Sequence, residues 1–112
     1  MVQGQNVPIS TLQQFCDGYK NQDSQAVYNT LSMQYQQKLS LSTIQKTLDS
    51  MKGMKVDCTV NNVQQNGSTA TGIITIKVPP AAAQSINIPA TRQFKATLVQ
   101  ENGQWKISNL GS

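Results

Sequence analysis

The hydrophobic period of the sequence changes near its middle, and this change constrains the fold more than any other feature. Up to residue 53, apolar residues recur every three or four positions, as on one face of a helix. From residue 54 onward, apolar and polar residues alternate, as in strands that bury one face. Helices followed by strands predict an α+β domain, with N-terminal helices packed on one face of a curved antiparallel sheet of about four strands.

Four helical segments are predicted before residue 53. The first, Pro8–Lys20, begins with a proline that suits a first helical turn, where a missing N–H costs nothing. Asp23 can cap a short second helix to residue 31, and Ser32 can cap a third one through residue 39. Ser42 stands at capping-box spacing from a glutamine three residues on, and Gly53 is a suitable residue to end this fourth helix.

Four strands are predicted after residue 53, at roughly 54–63, 69–78, 90–100 and 104–110. Asn66-Gly67 and Asn102-Gly103 favour hairpin turns, and Pro79-Pro80 ends the second strand. Residues 81–88 are predicted to form a loop or a short helical turn. The final hairpin contains the only tryptophan, Trp105, and we expect its inward face to contact the first helix.

Composition and charge exclude several function classes. The net charge is +4, and the nine Lys and Arg residues are spread singly, so the footprint of a nucleic-acid-binding protein is missing. There is no histidine, and two cysteines lack the number and spacing of a zinc site. No apolar run approaches the ~20 residues of a membrane span. We expect no nucleic-acid partner, membrane span, metal or cofactor.

The two cysteines, Cys16 and Cys58, both fall on predicted inward faces. Cys16 lies in the apolar stripe of the first helix, and Cys58 alternates in phase with Val56 and Val60. They either remain two buried thiols or pair, and they can meet if the first helix lies across the sheet. We favour the disulfide, because a surface rich in uncharged polar residues suits an exported protein, in which a disulfide persists.

The order of elements, together with three local sequences, resembles the nuclear-transport-factor-2-like superfamily, whose fold is also called cystatin-like. The matching sequences are Phe-Cys-Asp-Gly-Tyr-Lys-Asn-Gln-Asp at 15–23, Tyr-Asn-Thr-Leu-Ser at 28–32 and Asn-Gly-Gln-Trp-Lys-Ile at 102–107. The resemblance implies a cone in which a strongly bent sheet wraps a helix and leaves a pocket at the wide end. It implies one domain over residues 8–112, after a disordered or tag-derived segment at 1–7.

Members of this superfamily include ketosteroid isomerases, scytalone dehydratases, polyketide cyclases and many non-catalytic domains, so the fold does not choose the activity. Its enzymes use a carboxylate or histidine base in the pocket. Every carboxylate of this chain is expected at the surface, in a cap or in a turn, and we predict no catalytic residue. The five are Asp17, Asp23, Asp49, Asp57 and Glu101.

Aromatic and methionine side chains are the candidates for a pocket between the helices and the sheet. They can equally be ordinary core residues, because such side chains at helical spacing usually are. The candidate pocket-lining residues are Tyr19, Tyr28, Met33, Tyr35, Met51, Met54 and Trp105.

The sequence favours a non-catalytic extracytoplasmic domain that binds a small apolar ligand or another protein. The resemblance points to exported bacterial members of unknown function, either secreted or lipid-anchored, and the signal segment would then precede this sequence. Two alternatives stay open. One is an isomerase, dehydratase or cyclase with a pocket carboxylate, and the other is a structural module that forms a homodimer through the sheet.

Overall fold

The computed structural model describes residues 7–85 and 90–111, which form five helices and one four-stranded antiparallel sheet. Residues 1–6 of the predicted N-terminal segment and the end of the predicted 81–88 connection lie outside this part. The predicted α+β class is confirmed. In chain order the elements are α1 Pro8–Lys20, α2 Ser24–Asn29, α3 Met33–Lys38, α4 Leu41–Ser50, β1 Asp57–Asn66, β2 Thr69–Lys77, α5 Pro80–Ser85, β3 Thr91–Glu101 and β4 Gln104–Gly111.

Side-chain caps begin three of the helices. Asp23 accepts a hydrogen bond from the Ala26 N–H, and Ser32 accepts one from the Tyr35 N–H, as predicted. The cap of α4 is Ser40, which accepts from the Thr43 N–H. The prediction that Ser42 caps this helix was wrong, because the residue two positions earlier already satisfies the first turn.

The second helix ends at residue 29 instead of the predicted 31, because the following residues dock on the sheet. The Ile107 N–H donates to the Thr30 carbonyl at 2.7 Å, and the Ser32 N–H donates to the Ile107 carbonyl at 2.8 Å. Leu31, between them, is 1% exposed and forms an isolated parallel bridge with Ile107. Segment 30–32 therefore occupies the middle of the outer edge of β4.

The sheet has the strand order β1-β2-β3-β4, and every neighbouring pair is antiparallel. β1 begins three residues later than predicted and extends to Asn66. Its pairing with β2 shifts between Asn61 and Gln64, and Asn62 there has a left-handed backbone, with φ of 55°. Such a bulge bends and twists an edge strand. Asn102 and Gly103, both with positive φ, form the tight turn predicted for the last hairpin.

Helix α1 lies directly on the inner face of the sheet. Leu12 is fully buried, and a Cβ at Gly72 of β2 would come within 2.6 Å of its Cδ1. The glycine therefore allows the helix to approach the strand backbone closely. Ile74, Leu98 and Ile107 are fully buried on the same face, and burying such a side chain stabilises the fold by about 1.5–3 kcal/mol.

A disulfide joins α1 to β1. Cys16 and Cys58 are bonded, their Cα atoms are 5.2 Å apart, and both residues are 4% exposed. The predicted pairing is confirmed, and it arises because the first helix does lie across the sheet. Among the described helices, none combines the length and the apolar character needed to cross a membrane.

Candidate functional site

A small cavity of about 60 Å³ opens where the C-terminal end of α1 meets α4 and the sheet. One side is formed by α4 and the residue after it, and the other by the end of β2 and the start of β3. The residues that line it are Tyr19, Thr47, Ser50, Met51, Ile76, Val78, Arg92 and Phe94.

The walls of the cavity are mainly apolar. Met51, Ile76 and Val78 are buried, and Phe94 is half-buried. Antiparallel pairing of β2 and β3 sets the positions of these side chains, since Ile76 stands opposite Arg92 and Ile74 stands opposite Phe94. Because successive strand residues face opposite sides, Arg92 and Phe94 share the inner face of β3. The cavity thus has hydrophobic walls and a cationic side chain of the same strand.

Tyr19, in the last turn of α1, provides the phenol of the cavity. Its ring centroid is 5.0 Å from that of Phe15, which fixes the ring against the core. Burial raises the pKa of the Tyr19 phenol above its ordinary value, the nearby Arg92 charge partly opposes this rise, and Tyr35 adds to it. Within the described residues its hydroxyl has no hydrogen-bond partner. The phenol is therefore neutral at pH 7 and has a free donor.

Arg92 is the only arginine of the chain, and it lies exposed beside the cavity. Its guanidinium carbon is 4.9 Å from the centroid of the Phe94 ring, which is cation–π geometry. Among the described residues, no carboxylate forms an ion pair with it. The aromatic ring holds the guanidinium in place while its N–H groups stay available to another partner.

The predicted pocket residues are divided between this cavity and other places. Tyr19 and Met51 line the cavity, and Tyr35 is close enough to influence the Tyr19 pKa. Tyr28 and Met54 are half-buried against the core. The two remaining residues lie elsewhere: Met33 is 69% exposed at the start of α3, and Trp105 is 3% exposed on β4.

The other residues that line the cavity were not predicted from the sequence; they are Thr47, Ser50, Ile76, Val78, Arg92 and Phe94. The signal was present for Arg92, because it alternates in phase with the apolar residues Phe94, Ala96 and Leu98 of the same strand. A charged residue at the end of an inward-facing series indicates the point where that face reaches solvent.

A larger polar groove of about 290 Å³ lies nearer the N-terminal end of α1. Some of its polar groups are already engaged within the protein. The Thr11 hydroxyl donates to the Trp105 carbonyl at 2.9 Å, and the Lys106 ammonium donates to the Asn29 carbonyl at 2.7 Å. The lining of this groove is more polar than that of the cavity beside Tyr19, which makes the groove a poorer site for an apolar molecule.

The carboxylates lie away from the cavity lining. Asp17, Asp23, Asp49 and Asp57 are exposed, and Glu101 is half-buried, with both of its oxygens 3.4 Å from the Met33 N–H. Within residues 7–85 and 90–111, no group of three His, Cys, Asp or Glu side chains could hold a metal ion.

The sequence matches no family model and no curated protein, whereas solved structures share its fold. A SEC-C motif containing protein from Rhodopseudomonas palustris is 12% identical, with a TM-score of 0.74 over 96% of this chain and 79% of that one. A putative calcium/calmodulin-dependent protein kinase type II association domain from Thiobacillus denitrificans is 6% identical, with a TM-score of 0.70 over 94% and 92%.

A nuclear-transport-factor-2-like protein of unknown function from Shewanella baltica is 14% identical, with a TM-score of 0.64 over 91% of this chain and 86% of that one. Likenesses at these identities show the fold alone. The resemblance predicted from the sequence is confirmed at that level, because the chain has the nuclear-transport-factor-2-like, cone-shaped α+β fold.

Proposed function

We propose that this chain is a non-catalytic extracytoplasmic domain that holds a small, mainly apolar molecule at the wide end of its cone. The observation that carries the proposal is the cavity between α1, α4 and the sheet. Its walls are mainly apolar, and it is open to solvent. Two of its polar groups, the Tyr19 hydroxyl and the Arg92 guanidinium, have no hydrogen-bond partner among the described residues. Ligand sites combine hydrophobic walls with a few such polar groups.

The disulfide supports the extracytoplasmic part of the proposal. Disulfides persist in oxidising compartments and are rare in reducing ones. Cys16 and Cys58 are both buried, and this disulfide contains both cysteines of the chain. Protein isolated from its native host would be denatured without a reductant and treated with an alkylating reagent. We expect mass spectrometry to show that no reagent has been added to either cysteine. Two alkylated thiols would contradict this part.

The placement of the carboxylates supports a role without acid–base catalysis. An isomerase, dehydratase or cyclase of this fold would need a carboxylate facing the ligand, and the lining of the cavity contains none of the five. Nothing in the site therefore favours the enzymatic alternative over simple binding.

Blocking the cavity tests the binding proposal. Ser50 is exposed on the rim, so Ser50→Trp should obstruct the opening without removing any core contact. Gln45→Trp, on another side of α4, adds the same bulk away from the cavity and serves as the matched control. Small apolar and amphipathic compounds should shift backbone amide signals of cavity residues in NMR spectra of the parent protein and of Gln45→Trp.

The same shifts should disappear in Ser50→Trp. The binding proposal fails if no compound perturbs the cavity signals of the parent protein at millimolar concentration. It also fails if the rim substitution leaves every shift unchanged, since the compounds would then bind elsewhere.

Assembly through the sheet is a second candidate function. The outer face of the sheet, opposite α1, carries mainly Thr, Gln, Asn and Lys, with Ile73 and Val99 half-buried among them. The Thiobacillus denitrificans neighbour is a putative association domain of a calcium/calmodulin-dependent protein kinase type II, which motivates the comparison. A dimer in light scattering that becomes a monomer in Ile73→Lys would support assembly, and a monomeric parent protein at high concentration would exclude it.

A further inference from the structure

The chemistry of the cavity narrows the class of ligand, and this step rests on the proposed function. The one arginine of the chain is exposed, forms no ion pair within the described residues, and is located at the cavity. A guanidinium presents planar donors that match a carboxylate in a bidentate pair. It also disfavours a cationic ligand at the same position by charge repulsion.

The guanidinium is held in place before any ligand arrives. Its contact with the Phe94 ring, at 4.9 Å, restrains the long side chain on the cavity wall. A stacked arginine loses less rotamer freedom when it forms hydrogen bonds, so less of the binding free energy is spent on ordering it. Phe94 therefore acts both as an apolar wall and as a support for Arg92.

The Tyr19 hydroxyl supplies a second donor to the same space. It belongs to the cavity lining, and it has no partner in the described part of the chain. Arg92 is near enough to influence this phenol electrostatically. One carboxylate at the mouth of the cavity can therefore accept hydrogen bonds from both side chains.

The volume limits what can lie behind that carboxylate. A cavity of about 60 Å³ is well below the roughly 150 Å³ of an apolar cavity that holds benzene, so it has room for only a few carbon atoms. Met51, Ile76 and Val78 surround this space with flexible or branched apolar groups. A short aliphatic tail fits the space, whereas a polycyclic ligand does not.

We propose that the cavity binds short-chain aliphatic monocarboxylates, with the carboxylate on Arg92 and Tyr19 and the tail between Met51, Val78 and Phe94. The probes are 3-methylbutanoate and its neutral isostere 3-methylbutanamide, titrated separately into the disulfide-bonded protein and followed by backbone amide shifts. For a ligand of this size we expect a Kd of the acid on the order of 1 mM.

The acid should bind at least about tenfold more tightly than the amide, because a hydrogen bond to a charged group is stronger than a neutral one. This comparison uses the unaltered protein, so it does not depend on the folding of any variant. Arg92→Gln should weaken acid binding about tenfold and leave amide binding within about twofold. Tyr19→Phe should weaken acid binding by a factor of about 2–10.

Lys95→Gln is the matched control for charge. It removes the same charge from the same strand, but Lys95 is exposed on the opposite face of the sheet. Acid binding that falls equally in Arg92→Gln and Lys95→Gln would overturn the inference, because net charge alone would then explain it.

Equal binding of acid and amide to the parent protein would also overturn the inference, while the cavity would stay a site for apolar molecules. If neither these probes nor any apolar compound perturbs the cavity signals, the proposed function and the inference fail together. Acid selectivity that is lost in Arg92→Gln and kept in Lys95→Gln supports both.

Discussion

Removing the disulfide by Cys16→Ala/Cys58→Ala should lower the free energy of unfolding by about 4 kcal/mol. The bond closes a loop with a sequence separation of 42 residues. In the chain-entropy treatment, a cross-link of this span removes on the order of 13 cal/mol/K from the unfolded ensemble, which corresponds to about 4 kcal/mol at 25 °C. Domains of this kind are stable by about 5–15 kcal/mol, so the variant should keep only a modest stability.

Urea denaturation followed by tryptophan fluorescence measures this effect, because the only tryptophan is buried in the core. Reduced parent protein is the control, since its two thiols keep the buried volume of the cysteines and lack the cross-link. It should lose most of the same stability. A double variant within about 1 kcal/mol of the oxidised parent would refute the reasoning from loop entropy.

Three further predictions concern single residues. Trp105→Ala should lower the free energy of unfolding by about 3–5 kcal/mol, because the indole is 3% exposed; an unchanged melting temperature would contradict this. Gly72→Ala should cost about 1–3 kcal/mol in urea denaturation, because its Cβ would be 2.6 Å from Leu12 Cδ1. A variant as stable as the parent would mean that the Leu12 side chain relieves this contact without loss of packing. Burial raises the pKa of the Tyr19 phenol in the folded protein. The contribution of the neutral phenol to stability is therefore fully present below the pKa of the unfolded chain, about 10, and is lost as the pH rises through the pKa of the folded protein. Tyr19→Phe should therefore make stability above about pH 10 less dependent on pH, and parallel profiles for parent and variant would show that the phenol does not contribute.

Local sequence patterns were enough to predict the main architecture. The alternation of apolar residues around Cys58 and the helical spacing of apolar residues around Cys16 each indicate that the cysteine side chain faces the core. Together these two patterns predicted a disulfide that the fold allows. Asn102-Gly103 predicted its turn because positive φ at both positions suits those two residues. Such signals are local, so they do not depend on how the layers finally pack.

The cavity was only partly predictable because a periodic pattern gives the face of a residue and not what lies opposite it. Two of the predicted pocket residues, Tyr19 and Met51, border the cavity between α1, α4 and the sheet. Met33 was expected there too, but a six-residue helix turns Tyr35 towards the core and leaves the methionine exposed. Whether an inward-facing residue fills space or borders a cavity depends on contacts between elements that are distant in sequence. The strands that carry Ile76 and Arg92 are an example.

The docking of segment 30–32 on β4 also has a consequence for how copies of the chain can aggregate. Growth of an endless ladder of molecules by edge-to-edge pairing requires two open edges on every copy. The hydrogen bonds of Ile107 with Thr30 and Ser32 obstruct one of them halfway along the strand. The other, β1, is interrupted by the bulge at Asn62. Neither edge therefore presents an uninterrupted strand to a neighbouring copy, which disfavours edge-to-edge growth of fibrils by this sparsely charged protein.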